Sequence, residues 1–234
     1  MLSLTDFFQD PRVVATVSDR TIDFKLNEQD PLLNPSQKDF LSKHIGAFAK
    51  DLFYLKQVHG NFVYPLTKIT PFHLPLLKGD AMITNIPHQP LAVRTADCLS
   101  VFIFDPVVGA IGVVHAGWKG THQEILKQTV EDMQSKWGSR PQDLKIAFGP
   151  SIRSCCYQVG VEFKDYFPDE IFAKPTGLYL DLPLANKRQL LRLGILEKNI
   201  FDCSICTCCN QRYFSYRRDG EKAGRMISVM MLKG

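Results

Sequence analysis

The chain has no apolar run approaching the roughly eighteen residues that a membrane-spanning helix requires, so a membrane protein of the helical kind is not expected. It starts Met1-Leu2-Ser3-Leu4-Thr5-Asp6, with no basic segment ahead of an apolar one, so no secretory leader is expected either. Repeats, low-complexity tracts and long linkers are absent. Strong charge is absent too: 28 basic against 24 acidic residues leave +4. Basic clusters are no longer than pairs such as Arg217-Arg218, whereas a nucleic-acid binder normally concentrates its basic residues on one face. Histidine is scarce, at six.

What is present is enough chain for a sizeable core. At 234 residues the sequence exceeds any disulfide-stapled mini-protein. Area scaling predicts about 70% of the unfolded surface buried on folding. Seven cysteines are the sharpest compositional fact. An odd number without a leader reads as reduced thiols in a cytoplasmic compartment.

Hydrophobic pattern predicts an α+β fold. Strands are expected at 13–17, 22–24, 53–55, 81–84, 91–93, 99–104, 110–114, 144–148 and 226–232. Ser36 with Asp39 resembles a capping box for a helix over 36–48. Thr121 with Glu124 resembles another, opening a helix whose face is Ile125, Leu126, Thr129, Val130, Met133 and Trp137 and which stops at Gly138. Helices are also expected at 161–167 and 183–193.

Three residues fall at the ends of predicted strands beside small or turn-forming neighbours: His59, Cys98 and His115. Two imidazoles and a thiolate suit Zn²⁺ with a fourth position open. Zn²⁺ with one thiolate and two neutral imidazoles is net positive, so that position would attract hydroxide or phosphate. Their separations, 39 and 17 residues, match no compact zinc knuckle. Hydrogen-bonded core histidines and a buried cysteine are the plainer alternative. The run His115-Ala-Gly-Trp-Lys-Gly-Thr121 breaks a strand through glycines into a helix start. There free N–H groups and Lys119 could receive an anion, with Gly120 and Thr121 beside it.

Asp80 and Asp97 are the acid/base candidates, or else turn carboxylates. Gln57 and Arg94 flank the site in sequence, and Arg153 follows Gly-Pro-Ser-Ile. Cys203-x-x-Cys206-x-Cys208-Cys209 has metal-like spacing. A zinc ribbon needs a second knuckle, however, and adjacent Cys155-Cys156 lacks its spacing, so buried thiols are the simpler expectation.

The ordered motifs Gln57-Val-His59-Gly60, Gly79-Asp-Ala81, Thr95-Ala-Asp97-Cys98, His115-Ala-Gly-Trp-Lys-Gly120, Gly149-Pro-Ser-Ile152, Cys156-Tyr-Gln-Val-Gly160, Phe214-Ser-Tyr-Arg217 and Gly224-Arg225 resemble the multicopper polyphenol oxidase (laccase-domain) family. Its members are described as zinc-dependent purine nucleoside phosphorylases with adenosine deaminase activity. The resemblance implies a single domain over 1–234, a layered α/β/β/α sandwich of mixed sheets. It implies His59, Cys98 and His115 as metal ligands, for Zn²⁺ or, on the older description, Cu²⁺. It implies adenosine, inosine, guanosine and methylthioadenosine, with phosphate, as substrates, and Cys206-Thr207 as a motif near their pocket. Lys119 stands where the family more often has Arg, and Ser100 where Pro is frequent. The family's glycine-rich N-terminal stretch is hard to find in residues 12–30. Three rivals share these residues: a metal-free thiol hydrolase with Cys98 as nucleophile and His115 as base, a copper oxidase, for which six histidines are few, and a metal-dependent binding scaffold.

Overall fold

Three strands that read as unbroken apolar runs, Leu99–Asp105, Ala110–Ala116 and Met226–Leu232, are buried along their whole length. A strand buried on every residue is covered on both faces, which calls for layers on either side. The computed structural model describes residues 1–26, 33–46, 51–68 and 77–234. In chain order the described elements are β1 (Leu2–Ser3), α1 (Thr5–Phe8), β2 (Val13–Val17), α2 (Pro35–Ile45), β3 (Val63–Leu66), β4 (Ala81–Thr84) and β5 (Leu91–Thr95). The hairpin of β6 (Leu99–Asp105) and β7 (Ala110–Ala116) leads into α3 (Trp118–His122), α4 (Ile125–Trp137) and β8 (Lys145–Phe148). There follow β9 (Gln158–Val159), α5 (Phe163–Tyr166), β10 (Ile171–Lys174), β11 (Gly177–Leu180), α6 (Leu182–Arg192), β12 (Ile200–Asp202), α7 (Tyr216–Asp219) and β13 (Met226–Leu232).

A mixed sheet of order β12-β8-β6-β7-β4-β3 stacks on an antiparallel sheet of order β1-β2-β13-β5. Alternation divides the hairpin residues between two cores. Phe102, Phe104, Ile111 and Val113 face Val13, Ala15, Val93, Met226 and Met230 of the second sheet. Val101, Ile103 and Val114 face α4 and α6 through Ile125, Val130, Met133, Ala185 and Leu190. On the far side of the antiparallel sheet, Ala92, Ile227 and Val229 pack with Leu41 and Ile45 of α2. The layers are therefore α/β/β/α, as the resemblance implied. A small sheet, β10-β11-β9, lies apart from the stack. Among the described residues no helix is long and apolar enough to cross a membrane.

The differences from expectation lie in local chemistry. Residues 22–24 form no strand, and Phe53–Leu55 contributes only an isolated bridge, Phe53 with Leu91. The first capping box is Asn34 with Gln37, not Ser36 with Asp39, because Pro35 takes the first helical position and moves the cap to the residue before it. That helix is described to Ile45, and the expected face residue Phe48 lies outside the described residues. The second box does not form. Thr121 sits inside α3 and Glu124 adopts a left-handed φ of 59°, so two helices meet where one was expected. The 161–167 helix is a single turn, while the 183–193 helix is present as α6. The unpredicted strands β9 to β12 are short and exposed enough to lack the alternation that marks a half-buried strand.

Phe104 is fully buried between the sheets, its ring edge-on to Phe8. Phe104→Ala is expected to lower the unfolding free energy by about 3–5 kcal/mol in urea titrations. Val107→Ala, at a 66% exposed hairpin position, should stay within about 0.5 kcal/mol. Equal effects would mean that the inter-sheet layer is not the principal core.

Candidate metal centre and nucleoside cleft

Strand register brings the three ligand candidates to one end of the six-stranded sheet. Ser100 pairs with His115 and Leu99 with Ala116, so Cys98 emerges beside the end of β7. Ala81 pairs with Val114, which sets Asp80 against the same end, and the His115 N–H donates to the Asp80 carbonyl at 2.7 Å. The third segment, Val58-His59-Gly60, is gathered by the Asp80 side chain. Its Oδ1 accepts from the His59 N–H at 2.9 Å, and its Oδ2 accepts from Gly60 at 2.8 Å and Val58 at 3.2 Å. Three successive N–H groups on one carboxylate hold His59 at a left-handed φ of 59°, a conformation uncommon outside glycine.

Asp80 Oδ1 also accepts from His115 Nδ1 at 2.8 Å. With the proton on Nδ1, the Nε2 lone pair of His115 is free to face Cys98 and His59. One donor atom each from His59, Cys98 and His115 lies within 4.8 Å of the others. The two imidazole rings meet edge-on, 4.8 Å between centroids. Burial alone would raise the Cys98 thiol, but His115 and then His59 bring it down to about 6. Burial alone would lower His115, but the Cys98 thiolate and Asp80 push it up to about 9. Burial works against Asp80 as well, and its hydrogen bonds from His115 and Gly60 outweigh it, so its carboxyl titrates below the ordinary range. A thiolate and two imidazoles, one oriented by a buried carboxylate, form a donor set that fits zinc or copper. Gly117 has to be small here: a Cβ would stand 3.1 Å from Cys98 Sγ and 3.2 Å from His59 Cδ2.

His59, Cys98 and His115 lie on the wall of a cleft of about 910 Å³, within the range that holds small organic ligands. Of the other site residues expected from sequence, Gln57, Arg94 and Asp97 line it. Gln57 spends its amide on the Arg94 backbone, donating to its carbonyl and accepting from its N–H at 2.8 Å each. Asp97 stands at a left-handed φ of 87°; its Oδ1 accepts from the Thr207 hydroxyl and its Oδ2 from the Arg217 N–H, both at 2.6 Å.

Asp80 is fully buried behind the ligands and outside the cleft lining, which places it as a positioning residue. Lys119, Gly120, Thr121 and Arg153 are not in the lining either. Lys119 is exposed with its ammonium over the Trp118 ring, Gly120 packs under the Gly60 carbonyl, and Thr121 bonds Asn186. The Arg153 guanidinium is taken by Asp202. Cys206 lies away from the cleft. In its motif it is Thr207 that reaches the site, through Asp97.

The residues that sequence reasoning missed are further cations and rings of the lining: Lys25, Tyr54, Lys56, Tyr157, Tyr216, Arg217 and Arg225. Tyr216, Arg217 and Arg225 sit in motifs visible in the sequence, but nothing in those motifs says which side chains point inward. Arg94 stacks over Tyr54 at 5.1 Å. Burial, and then the positive charge of Arg225, make its charged form less favourable, and its buried Nε has no partner among the described residues. Arg225 Nη1 donates to the Ala223 and Gly224 carbonyls at 2.7 and 2.9 Å, which leaves its other donors, with the Arg94 guanidinium, as cationic groups of the lining.

A model of the family described as multi-copper polyphenol oxidoreductase laccase matches residues 30–233, and the chain belongs to that family. It is 36% identical over 190 residues to a purine nucleoside phosphorylase of Clostridium acetobutylicum, covering 79% of this chain and 78% of that protein. It is 30% identical over 215 residues to the purine nucleoside phosphorylase YlmD of Bacillus subtilis, covering 84% and 76%. Among solved structures, the Bacillus licheniformis hypothetical protein YfiH superposes with a TM-score of 0.88 at 29% identity, over 100% of this chain and 96% of that one. YlmD of Geobacillus stearothermophilus gives 0.86 at 27% identity, over 96% and 93%.

Asp80→Asn keeps the size but removes the negative charge, and its amide nitrogen cannot accept from His115 and the 58–60 N–H groups as the lost oxygen does, so both histidine ligands lose orientation. It is expected to weaken zinc binding by about 10–100-fold in chelator-competition titrations, with circular dichroism unchanged. Unchanged affinity would show that His115 needs no orienting partner.

Proposed function

We propose that this chain is a zinc-dependent purine nucleoside phosphorylase that also deaminates adenosine, acting on adenosine, inosine, guanosine and methylthioadenosine with phosphate. The observation that carries the proposal is one cleft whose lining holds the His59–Cys98–His115 donor set together with Arg94 and Arg225. The names of the Clostridium and Bacillus relatives agree with it.

His59, Cys98 and His115 would hold the zinc, which would supply Lewis acidity and make a water more acidic. The chain's own residues do the rest. Asp80 keeps the proton of His115 on Nδ1. Arg94 and Arg225 bind phosphate and orient it toward the ribose C1′, where a cation-like transition state gains from a positioned anion. Tyr54, Tyr157 and Tyr216 offer ring surface to a purine. Ile152 and Leu182 add apolar wall that excludes water. Asp97 is the carboxylate in the lining, and the proposal gives it the proton transfers that deamination needs, with the Thr207 hydroxyl on its Oδ1.

A second reading is favoured by one observation: Cys98, His115 and Asp80 lie in line, as a thiol nucleophile, its base and an orienting acid would. Turnover that survives removal of metal selects that reading.

Zinc-loaded protein is expected to convert adenosine to inosine, and to release the purine base only when phosphate is present, both followed by HPLC. Cys98→Ala should abolish both. Arg94→Ala should raise the KM for phosphate by about 10–100-fold, the worth of a hydrogen bond to a charged group. Deamination should be little changed by it. Zinc-loaded protein that forms neither product overturns the proposal.

A further inference from the structure

Four of the remaining cysteines converge away from the cleft lining. The Sγ atoms of Cys155, Cys156, Cys206 and Cys209 all lie within 4.8 Å of one another. Cys209 Sγ is 3.2 Å from Cys156 Sγ and 3.5 Å from Cys155 Sγ. Four thiolates at about 2.3 Å from one Zn²⁺ stand about 3.8 Å apart along the edges of a tetrahedron. The sulfurs therefore already surround a volume of that size. The sequence expectation of incidental buried thiols fails here, since Cys155 and Cys209 are exposed.

The backbone supports the same reading. Cys206-Thr-Cys-Cys209 is a Cys-x-x-Cys turn. The adjacent pair Cys155-Cys156 comes from a turn closed by the Cys156 N–H on the Arg153 carbonyl. Backbone bonds join the two segments: Ser151 to the Ile205 carbonyl at 3.2 Å, and Thr207 to the Ser151 carbonyl at 3.0 Å. Two disulfides would also use all four sulfurs but need an oxidant, whereas a tetrathiolate keeps all four reduced.

We propose that Cys155, Cys156, Cys206 and Cys209 form a second, structural metal site that takes one Zn²⁺ as a tetrathiolate. Binding replaces four S–H protons by four Zn–S bonds and involves no change of oxidation state. Two cations, Arg217 of α7 and Lys174 of β10, bond the carbonyls of the turn that carries Cys155 and Cys156. Arg217 donates to the Cys156 carbonyl at 3.1 Å, and the Lys174 ammonium donates to the Ser154 carbonyl. The site would staple two distant stretches of chain, 151–158 and 203–217, which carry Ile152 and Tyr157, and Tyr216 and Arg217, of the cleft lining.

The test is metal content and thiol protection in the full chain purified after growth with zinc. Cys98→Ala is expected to retain zinc, held by the tetrathiolate. Adding Cys206→Ser and Cys209→Ser should remove it, while adding Cys208→Ser should not. In wild-type protein, mass spectrometry after alkylation should find Cys155, Cys156, Cys206 and Cys209 protected until a chelator is added. Cobalt-loaded Cys98→Ala should show the intense thiolate-to-metal absorption of several sulfur ligands. Zinc-free Cys98→Ala, alkylation of the four thiols at the same rate with and without chelator, or a Cys156–Cys209 disulfide in the purified protein would each overturn the proposal. The wild-type alkylation decides the matter even if the serine variants do not fold.

Discussion

The carboxylate of Asp80 is the constraint on which the catalytic end of this protein depends. It has no exposed surface, and its four described hydrogen bonds all serve the ligand cluster. Three hold the backbone of 58–60 in a curl that chain sterics disfavour, and one selects the tautomer of His115. A buried carboxylate is tolerable only when hydrogen bonds replace its water. Here the groups that satisfy it are the ones that need placing, so the same hydrogen bonds offset both the cost of burying the charge and the cost of bending the chain at His59.

Asp97 repeats this device on the opposite side of Cys98. It too adopts a positive φ, and its oxygens reach 110 and 120 residues along the chain to Thr207 and Arg217. The ligand cluster is thereby tied to the late segment that supplies Tyr216, Arg217 and Arg225 to the cleft. Rigid sheet ends carry the metal-ligand candidates, while the late segment bonded to Asp97 carries cationic and ring-bearing residues of the cleft lining. The four-cysteine cluster would reinforce that lining from behind, using thiols too far from Cys98 to share its ion.

Much was legible in the sequence where one physical rule dominates. Residues 99–105, 110–116 and 226–232 are apolar on both faces, and burial follows. Gly117 marks a close approach because no side chain fits between Cys98 and His59. Where several weak preferences compete, the sequence is a poorer guide. Ser36 and Asn34 are both good caps, and the position of Pro35 decides between them. Thr121 and Glu124 have the spacing of a capping box, yet Thr121 is drawn into a buried bond with Asn186, and the helix breaks at Glu124 instead.

By itself the sequence determined the α+β class and the three metal-ligand candidates, because periodicity and strand ends are local signals, while the layered arrangement and the family followed from the resemblance that its ordered motifs carry. Only the tertiary structure decided which charged residues share the cleft. Lys119 and Arg153 are held outside it by Trp118 and Asp202, while Arg225, far along the chain, is brought beside Arg94. Only the tertiary structure, too, turned two cysteine pairs some 50 residues apart into one cluster, since Ser151 and Cys206 meet in a bridge that no spacing rule records. Direction and proximity between distant side chains arise from strand register and buried hydrogen bonds, and a linear pattern carries neither.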